Sequence, residues 1–353
     1  YEGVNGIGAS AFYGCKNLTK VTLPDSMIEI GKYAFSFCTS LNDISIPDTI
    51  FRIGDGVFLN CRSLTSIKYP LSMMGKALFS GCTSLESIET PAILSVEDSA
   101  FSGCSSLKSI HLDNMEEIGA NAFYGCSSLY EVTTEEKDWG YGKRLTTIGN
   151  RAFAGCKKLE SFPEYKKLET IGSEAFRDCS SLKNIELSES LTDIGDNAFS
   201  GCSSLENITL PDSLVNMGVS TFMDCSNLVS VTLPNGIKSI KEKTFMGCTR
   251  LENIVLPDGL TVIENYAFRE CRSLPQILLP DSVTELGIYV FAYCTGLENV
   301  TLSGNLTAIN TGDFFCTGLK EIVIPANIKS IGIQAFDECN ALANVTFEGS
   351  MND

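Results

Sequence analysis

Residues 34–47 read Ala34-Phe35-Ser36-Phe37-Cys38-Thr39-Ser40-Leu41-Asn42-Asp43-Ile44-Ser45-Ile46-Pro47. The same run returns, with substitutions, along the whole chain. Its cysteine recurs at 15, 38, 61, 82, 104, 126, 156, 179, 202, 225, 248, 271, 294, 316 and 339, a mean spacing of about 23 residues. Leu lies three places after each of the fifteen cysteines, from Leu18 and Leu41 to Leu342. Phe lies three places before fourteen of them, from Phe12 and Phe35 to Phe336. The exception is Asp313, where Phe314 and Phe315 are shifted toward Cys316 and one residue is lost. An Ile-Gly pair sits about eight places before the cysteine, as at Ile30-Gly31, Ile171-Gly172 and Ile331-Gly332. Pro closes many units, as at Pro24, Pro47, Pro211, Pro234, Pro257 and Pro280. The consensus is C-x-x-L-x-x-I-x-L-P-x-x-L-x-x-I-G-x-x-A-F-x-x.

Such a period is read before any local propensity, because it sets the architecture. Within one unit, Val21 and Leu23 alternate with Lys20 and Thr22, which predicts a short strand with one apolar face. Pro24 has no amide hydrogen for a ladder and ends the strand. Met27 and Ile30 return apolar side chains to the core, and Gly31 is expected to turn the chain with positive φ. Ala34 and Phe35 lead a short helical or irregular turn back to Cys38. One such unit cannot bury its apolar edge, but stacked units place each Leu, Ile, Phe and Cys on its copy. The expected fold is a leucine-rich-repeat solenoid over residues 1–353. It has about fifteen ~23-residue coils, short parallel strands on a concave face and turns on the other. The single sheet would run for roughly 70 Å at ~4.8 Å per strand. No dedicated cap is visible at either end, so the chain is expected to be part of something longer.

Two runs, Ala34-Phe35-x-x-Cys38-x-x-Leu41 and Leu205-x-x-Ile208-x-Leu210-Pro211, carry a specific resemblance. The chain resembles the BspA-like leucine-rich repeats, found mainly on surface proteins of anaerobic bacteria and in some mucosal protozoa. It departs from the commoner repeat, which places Asn or Cys after the strand; here Cys precedes the strand and Pro follows it. The resemblance implies cell-surface adhesion and protein–protein contact. It names no ligand, because fold does not carry function.

Composition narrows the partners. Acidic residues outnumber basic ones 43 to 26, giving a formal net charge of −17 spread along the chain. Such a surface repels phosphate backbones and anionic membranes, so neither nucleic acid nor membrane insertion is expected. No apolar stretch approaches the ~20 residues of a membrane span. The residues open at Tyr1-Glu2-Gly3, inside a repeat, with no basic-then-apolar segment, which leaves the compartment open.

The cysteines invite three readings. An odd count of fifteen leaves a thiol over in any disulfide framework. A metal site needs clustered ligands, and no two cysteines are closer than 21 residues. The favoured reading is a small buried hydrophobe repeated with its unit.

Catalysis needs unlike groups brought together, and repetition works against that. The one histidine, His111, falls on the exposed side of its strand. No carboxylate pair stands out from repeat-derived acids such as Asp25, Asp212 and Asp258. The glycines form no phosphate-binding pattern. No enzyme activity, cofactor or metal is expected. Glycosylation sequons occur at Asn17, Asn207, Asn299, Asn305 and Asn344.

Departures from the period carry the site candidates. Cys126 to Cys156 spans 30 residues, an insertion of seven, within Thr133–Arg144. It holds the only Trp, Trp139, beside Tyr141, Lys143 and Arg144, residue types that anchor interfaces. The second candidate is the outward strand positions. They begin with Lys20 and Thr22, Asp43 and Ser45, Ser66 and Lys68, and include His111. Later come Asn207 and Thr209, Ser230 and Thr232, Asn299 and Thr301, Asn344 and Thr346, turning apolar at Val255, Leu278 and Val323. Candidate binding residues are therefore Trp139, Tyr141, Lys143, Arg144, His111, Asn207, Thr209, Thr232, Asn299 and Thr301. The leading expectation is a secreted or surface adhesin binding a protein ligand, such as a host matrix protein or surface glycoprotein. The alternatives are a spacer presenting another domain, or a glycan-binding surface protein.

Overall fold

The computed structural model describes residues 3–91, 93–113, 115–134 and 144–349. The chain divides into two compact units, residues 1–188 and 189–353. Each is a parallel β-solenoid, and no described residue is helical.

Every coil has three sides. The first is the expected strand after the cysteine. In unit 1, Lys20–Thr22 pairs in parallel with Asp43–Ser45, and Ser109–His111 with Glu131–Thr133. In unit 2, Ser230–Thr232 pairs with Asn253–Val255, Gln276–Leu278 with Asn299–Thr301, and Glu321–Ile324 with Asn344–Phe347. The second side is a further ladder at the Ile-Gly pair, which the sequence reading treated only as a return to the core. It joins Glu29–Ile30 to Arg52–Ile53 in unit 1 and Val262–Ile263 to Glu285–Leu286 in unit 2.

The third side is a run of turns that still spends its amides in an orderly way. Alternate N–H groups bond within the coil, as Ser36 N–H to Tyr33 O at 3.1 Å and Cys38 N–H to Phe35 O at 3.1 Å. The others reach the next coil, as Phe35 N–H to Val57 O at 3.0 Å and Phe37 N–H to Leu59 O at 2.7 Å. This alternation places two residues per coil in the left-handed region, Tyr33 at φ 57° and Phe37 at φ 60° in this one. A side chain there is strained by roughly 1–2 kcal/mol, which is why Gly81, Gly103, Gly125 and Gly155 fill the position before the cysteine elsewhere in unit 1.

Gly31 is not one of these residues, which corrects the sequence reading of it. Its backbone lies against the preceding coil. A Cβ there would stand 2.6 Å from Ala9 N and 2.8 Å from Gly8 C. The Ile-Gly glycine is required by close approach, not by φ.

The core is a set of columns. Phe35, Phe58, Phe79, Phe101 and Phe123 are fully buried in unit 1, with rings stacked 5.3–6.1 Å apart from Phe35 to Phe123. Phe222, Phe245, Phe268 and Phe291 repeat this in unit 2 at 5.4–5.7 Å. The fifteen thiols are free; Cys15 is exposed, Cys316 and Cys339 are half-buried, and the others are buried. They are more than small hydrophobes. Buried Sγ–H groups donate to the Phe carbonyl of the coil before, as Cys61 to Phe35 O at 3.2 Å and Cys248 to Phe222 O at 3.2 Å. Burial pushes these thiols well above the usual range, so the column is chemically quiet.

The frame at Asp313 also needs correcting. Phe314, not Asp313, occupies the Phe column, with its ring 5.5 Å from Phe291 and 5.3 Å from Phe336. Thr317 stands where the cysteine would and bonds Phe314 O at 3.0 Å, while Cys316 takes the left-handed position at φ 57°. The residue is lost after the cysteine slot, between Thr317 and Leu319. Asp313 then falls in the buried alanine column of Ala267 and Ala335. Burial raises its carboxyl to about 7, although the Asn310 N–H at 2.6 Å and the Val290 N–H at 3.4 Å donate to it.

Candidate functional site

The outward positions of the first ladder are the third and fifth of each strand, because successive side chains alternate faces. In unit 1 this face is charged. Lys20 pairs with Asp43 at 2.6 Å, and Lys68, Glu89, Glu131 and Glu186 add charges along it.

His111 sits in this charged face, in register with Thr133 on the next coil. Its side chain is 40% exposed, on the outward side as expected, and the structure adds two partners to it. Nδ1 lies 2.9 Å from Thr133 Oγ1, and Nε2 lies 2.8 Å from Asp113 Oδ2. An ionised carboxylate only accepts, so a neutral imidazole donates from Nε2 and takes the Thr133 hydroxyl proton contact at Nδ1. Asp113 is nearly buried and stands where Pro24 and Pro47 close other strands. Tyr165 is buried beneath it, its hydroxyl donating to Leu112 O at 3.4 Å from two coils away. This cluster stands at the root of the insertion, since Thr133 ends the strand that leads into it. The groove nearest by sequence, about 410 Å³, is on the second ladder and is lined by Leu94, Val96, Glu97, Asp98, Glu116 and Glu117.

Of the four insertion candidates, Trp139, Tyr141 and Lys143 lie outside the described residues. Arg144 is exposed, with its guanidinium 3.9 Å from Glu116.

Unit 2 gathers the remaining candidates on one face. Asn207 pairs by register with Ser230, Thr232 with Val255, and Leu278 with Thr301. The third strand positions form an amide row: Asn207, Asn253, Gln276, Asn299 and Asn344, interrupted by Ser230 and Glu321. The fifth positions form a hydroxyl and aliphatic row: Thr209, Thr232, Val255, Leu278, Thr301, Val323 and Thr346. Glu321 is the only charge in either row. Leu278 is 67% exposed and Val255 49% exposed, on neighbouring coils. The composition of this face follows from the register of the strands. The free state of Asn253 and Gln276, and the hydrogen-bonded state of His111, are tertiary facts with no local signal.

No group of three or more His, Cys, Asp or Glu side chains among the described residues could hold a metal ion. No described helix is long and apolar enough to cross a membrane.

The family described as BspA type leucine rich repeat region matches residues 2–91, 146–255 and 238–353. The chain belongs to the BspA-type leucine-rich-repeat family. It is similar to a leucine-rich repeat protein of Bacteroides ovatus, at 31% identity over 97% of this chain and 82% of that one, with a TM-score of 0.69. A leucine rich cell surface protein of Faecalibacterium prausnitzii matches at 26% identity over 99% of this chain and 78% of that one, with a TM-score of 0.46. The pneumococcal vaccine antigen PcpA shares the fold at 22% identity, covering 98% of this chain and 93% of that one, with a TM-score of 0.51. No curated protein matches the chain.

Proposed function

We propose that the chain is a non-enzymatic interaction and adhesion module of a cell-surface or secreted protein, engaging a host matrix protein or surface glycoprotein. One observation carries the reading. A protein of net charge −17 keeps one face of unit 2 almost free of charge and leaves Leu278 and Val255 exposed there. Contiguous uncharged surface with exposed aliphatic side chains is costly in water and is characteristic of contact surfaces. Membership of the BspA-type leucine-rich-repeat family supports the location. Repetition also argues against catalysis, since it distributes like groups instead of converging unlike ones.

The test is saturable binding of the purified chain to a panel of matrix proteins and mucins. A Val255→Ser, Leu278→Ser variant and a Trp139→Ala, Tyr141→Ala variant are run beside it. Loss of binding in the first and retention in the second supports the unit 2 face. The reverse moves the site to the insertion, and no binding to any member of the panel rejects the reading.

A further inference from the structure

We propose that the uncharged face of unit 2 recognises an extended, neutral polysaccharide chain lying along the coils. This rests on the interaction-module reading and names the part of the glycoprotein that is bound.

Three observations carry it. First, the side-chain amides of Asn253, Gln276 and Asn299 are exposed and have no hydrogen-bond partner among the described residues. Each offers two donors and a two-lone-pair acceptor. A row of such groups suits a ligand that is itself lined with hydroxyls, which both donate and accept. The parallel row of Val255 and Leu278 meets the C–H faces of sugar rings.

Second, the face is framed by acid on both sides. Glu206 and Glu252 are exposed just before the amide row, where Glu298 is paired with Lys320 at 2.6 Å, and Asp212, Asp258 and Asp281 are exposed just after the strands. This frame repels sulfated or carboxylated chains and leaves neutral ones unopposed.

Third, the rows repeat once per coil, at ~4.8 Å. An extended chain of sugar rings advances by roughly one ring per coil and carries hydroxyls on both edges of each ring, so a ring meets an amide whichever way it faces. An extended peptide presents same-face groups every ~6.6–6.8 Å and falls out of step within two coils. An amphipathic helix has a turn of ~5.4 Å but docks into an apolar groove, and here only Val255 and Leu278 are adjacent apolar residues.

The repeated match makes affinity depend on length. Calorimetry with two-ring and six-ring chito- and cello-oligosaccharides, and with heparin as the polyanion, reads this directly. Binding is expected for a six-ring probe, with the two-ring probe weaker by roughly tenfold or more because it spans fewer coils. The Asn253→Ala, Gln276→Ala variant is expected to weaken the six-ring probe by roughly tenfold. Both substituted positions are exposed, and an unchanged melting curve checks that the variant folds. Heparin binding as tight as the neutral probes overturns the proposal. So does a face-dependent interaction with a matrix glycoprotein that survives enzymatic removal of its glycans; in that case the interaction module stands and its ligand is the polypeptide. Absence of binding to every oligosaccharide and every glycoprotein rejects both.

Discussion

The two units share an interior and differ outside. Phe101 in unit 1 and Phe245 in unit 2 are both fully buried in stacked columns, and Cys104 and Cys248 make the same bond to the coil before. Their first-ladder faces diverge. Unit 1 carries Lys20–Asp43, Lys68, Glu89, Glu131 and a histidine tied to Asp113 and Thr133. Unit 2 carries amides, threonines and exposed aliphatics with Glu321 as its one charge. Inward positions are constrained by the copies above and below, so they repeat. Outward positions meet solvent and are free to vary.

The largest expected effect tests the sameness of the interiors. Phe101→Ala and Phe245→Ala should each cost about 3–5 kcal/mol in chemical denaturation, because each opens a cavity in the middle of a column. A loss below about 1 kcal/mol in either unit would mean that its column is not a packed core.

The next effect is confined to unit 2 and depends on pH. The folded-state carboxyl of Asp313 is raised to about 7, above an unfolded value near 3.9. Between those values the folded state holds a proton that the unfolded chain has lost. Stability therefore falls as pH rises through that window and is level above it. Asp313→Asn keeps an acceptor for the Asn310 amide and removes the titration. It should stabilise by roughly 2–4 kcal/mol at pH 8 and by much less at pH 4, read as the difference in denaturation midpoints. Equal effects at the two pH values would show that Asp313 does not titrate in this way.

Thiol chemistry comes third. Native protein should react with a maleimide at Cys15 and slowly at Cys316 and Cys339, and all fifteen cysteines should react after unfolding. Rapid native labelling of Cys104 or Cys248 would break the equivalence of the two buried columns.

The smallest effect separates surface charge from stability. Lys20→Ala should change stability by no more than about 0.5 kcal/mol, because its pair with Asp43 is open to water on both sides. A loss several times larger would mean that the charged face of unit 1 is structural.

Much of this was legible in residue order. The cysteine period, the Leu and Phe columns and the outward positions of the strands all follow from spacing, since one register fixes every side chain at once. The second ladder at Ile-Gly was not legible, because two residues per coil are too few to show alternation. Gly31 was recognised but misread, since φ and close approach both select glycine and only the neighbouring coil distinguishes them. Asp313 was placed one column off because a deletion can be read from either side, and the buried slot decides it. At the site, Asn207, Thr209, Thr232, Asn299 and Thr301 lie together on one face as register required. His111 is held by Asp113 and Thr133, partners two residues and one coil away that no motif announces.

The central claim is that the uncharged face of unit 2, and not the charged face of unit 1, receives the ligand. Matched charge insertions test it most directly. Gln276→Glu with Asn299→Glu in unit 2, and Ser66→Glu with Ser87→Glu in unit 1, place two acids at equivalent outward positions on consecutive coils. Surface plasmon resonance against an immobilised matrix glycoprotein that binds the unaltered chain should show binding abolished by the unit 2 pair and unchanged by the unit 1 pair. Binding that survives the unit 2 pair and is lost with the unit 1 pair would contradict the account.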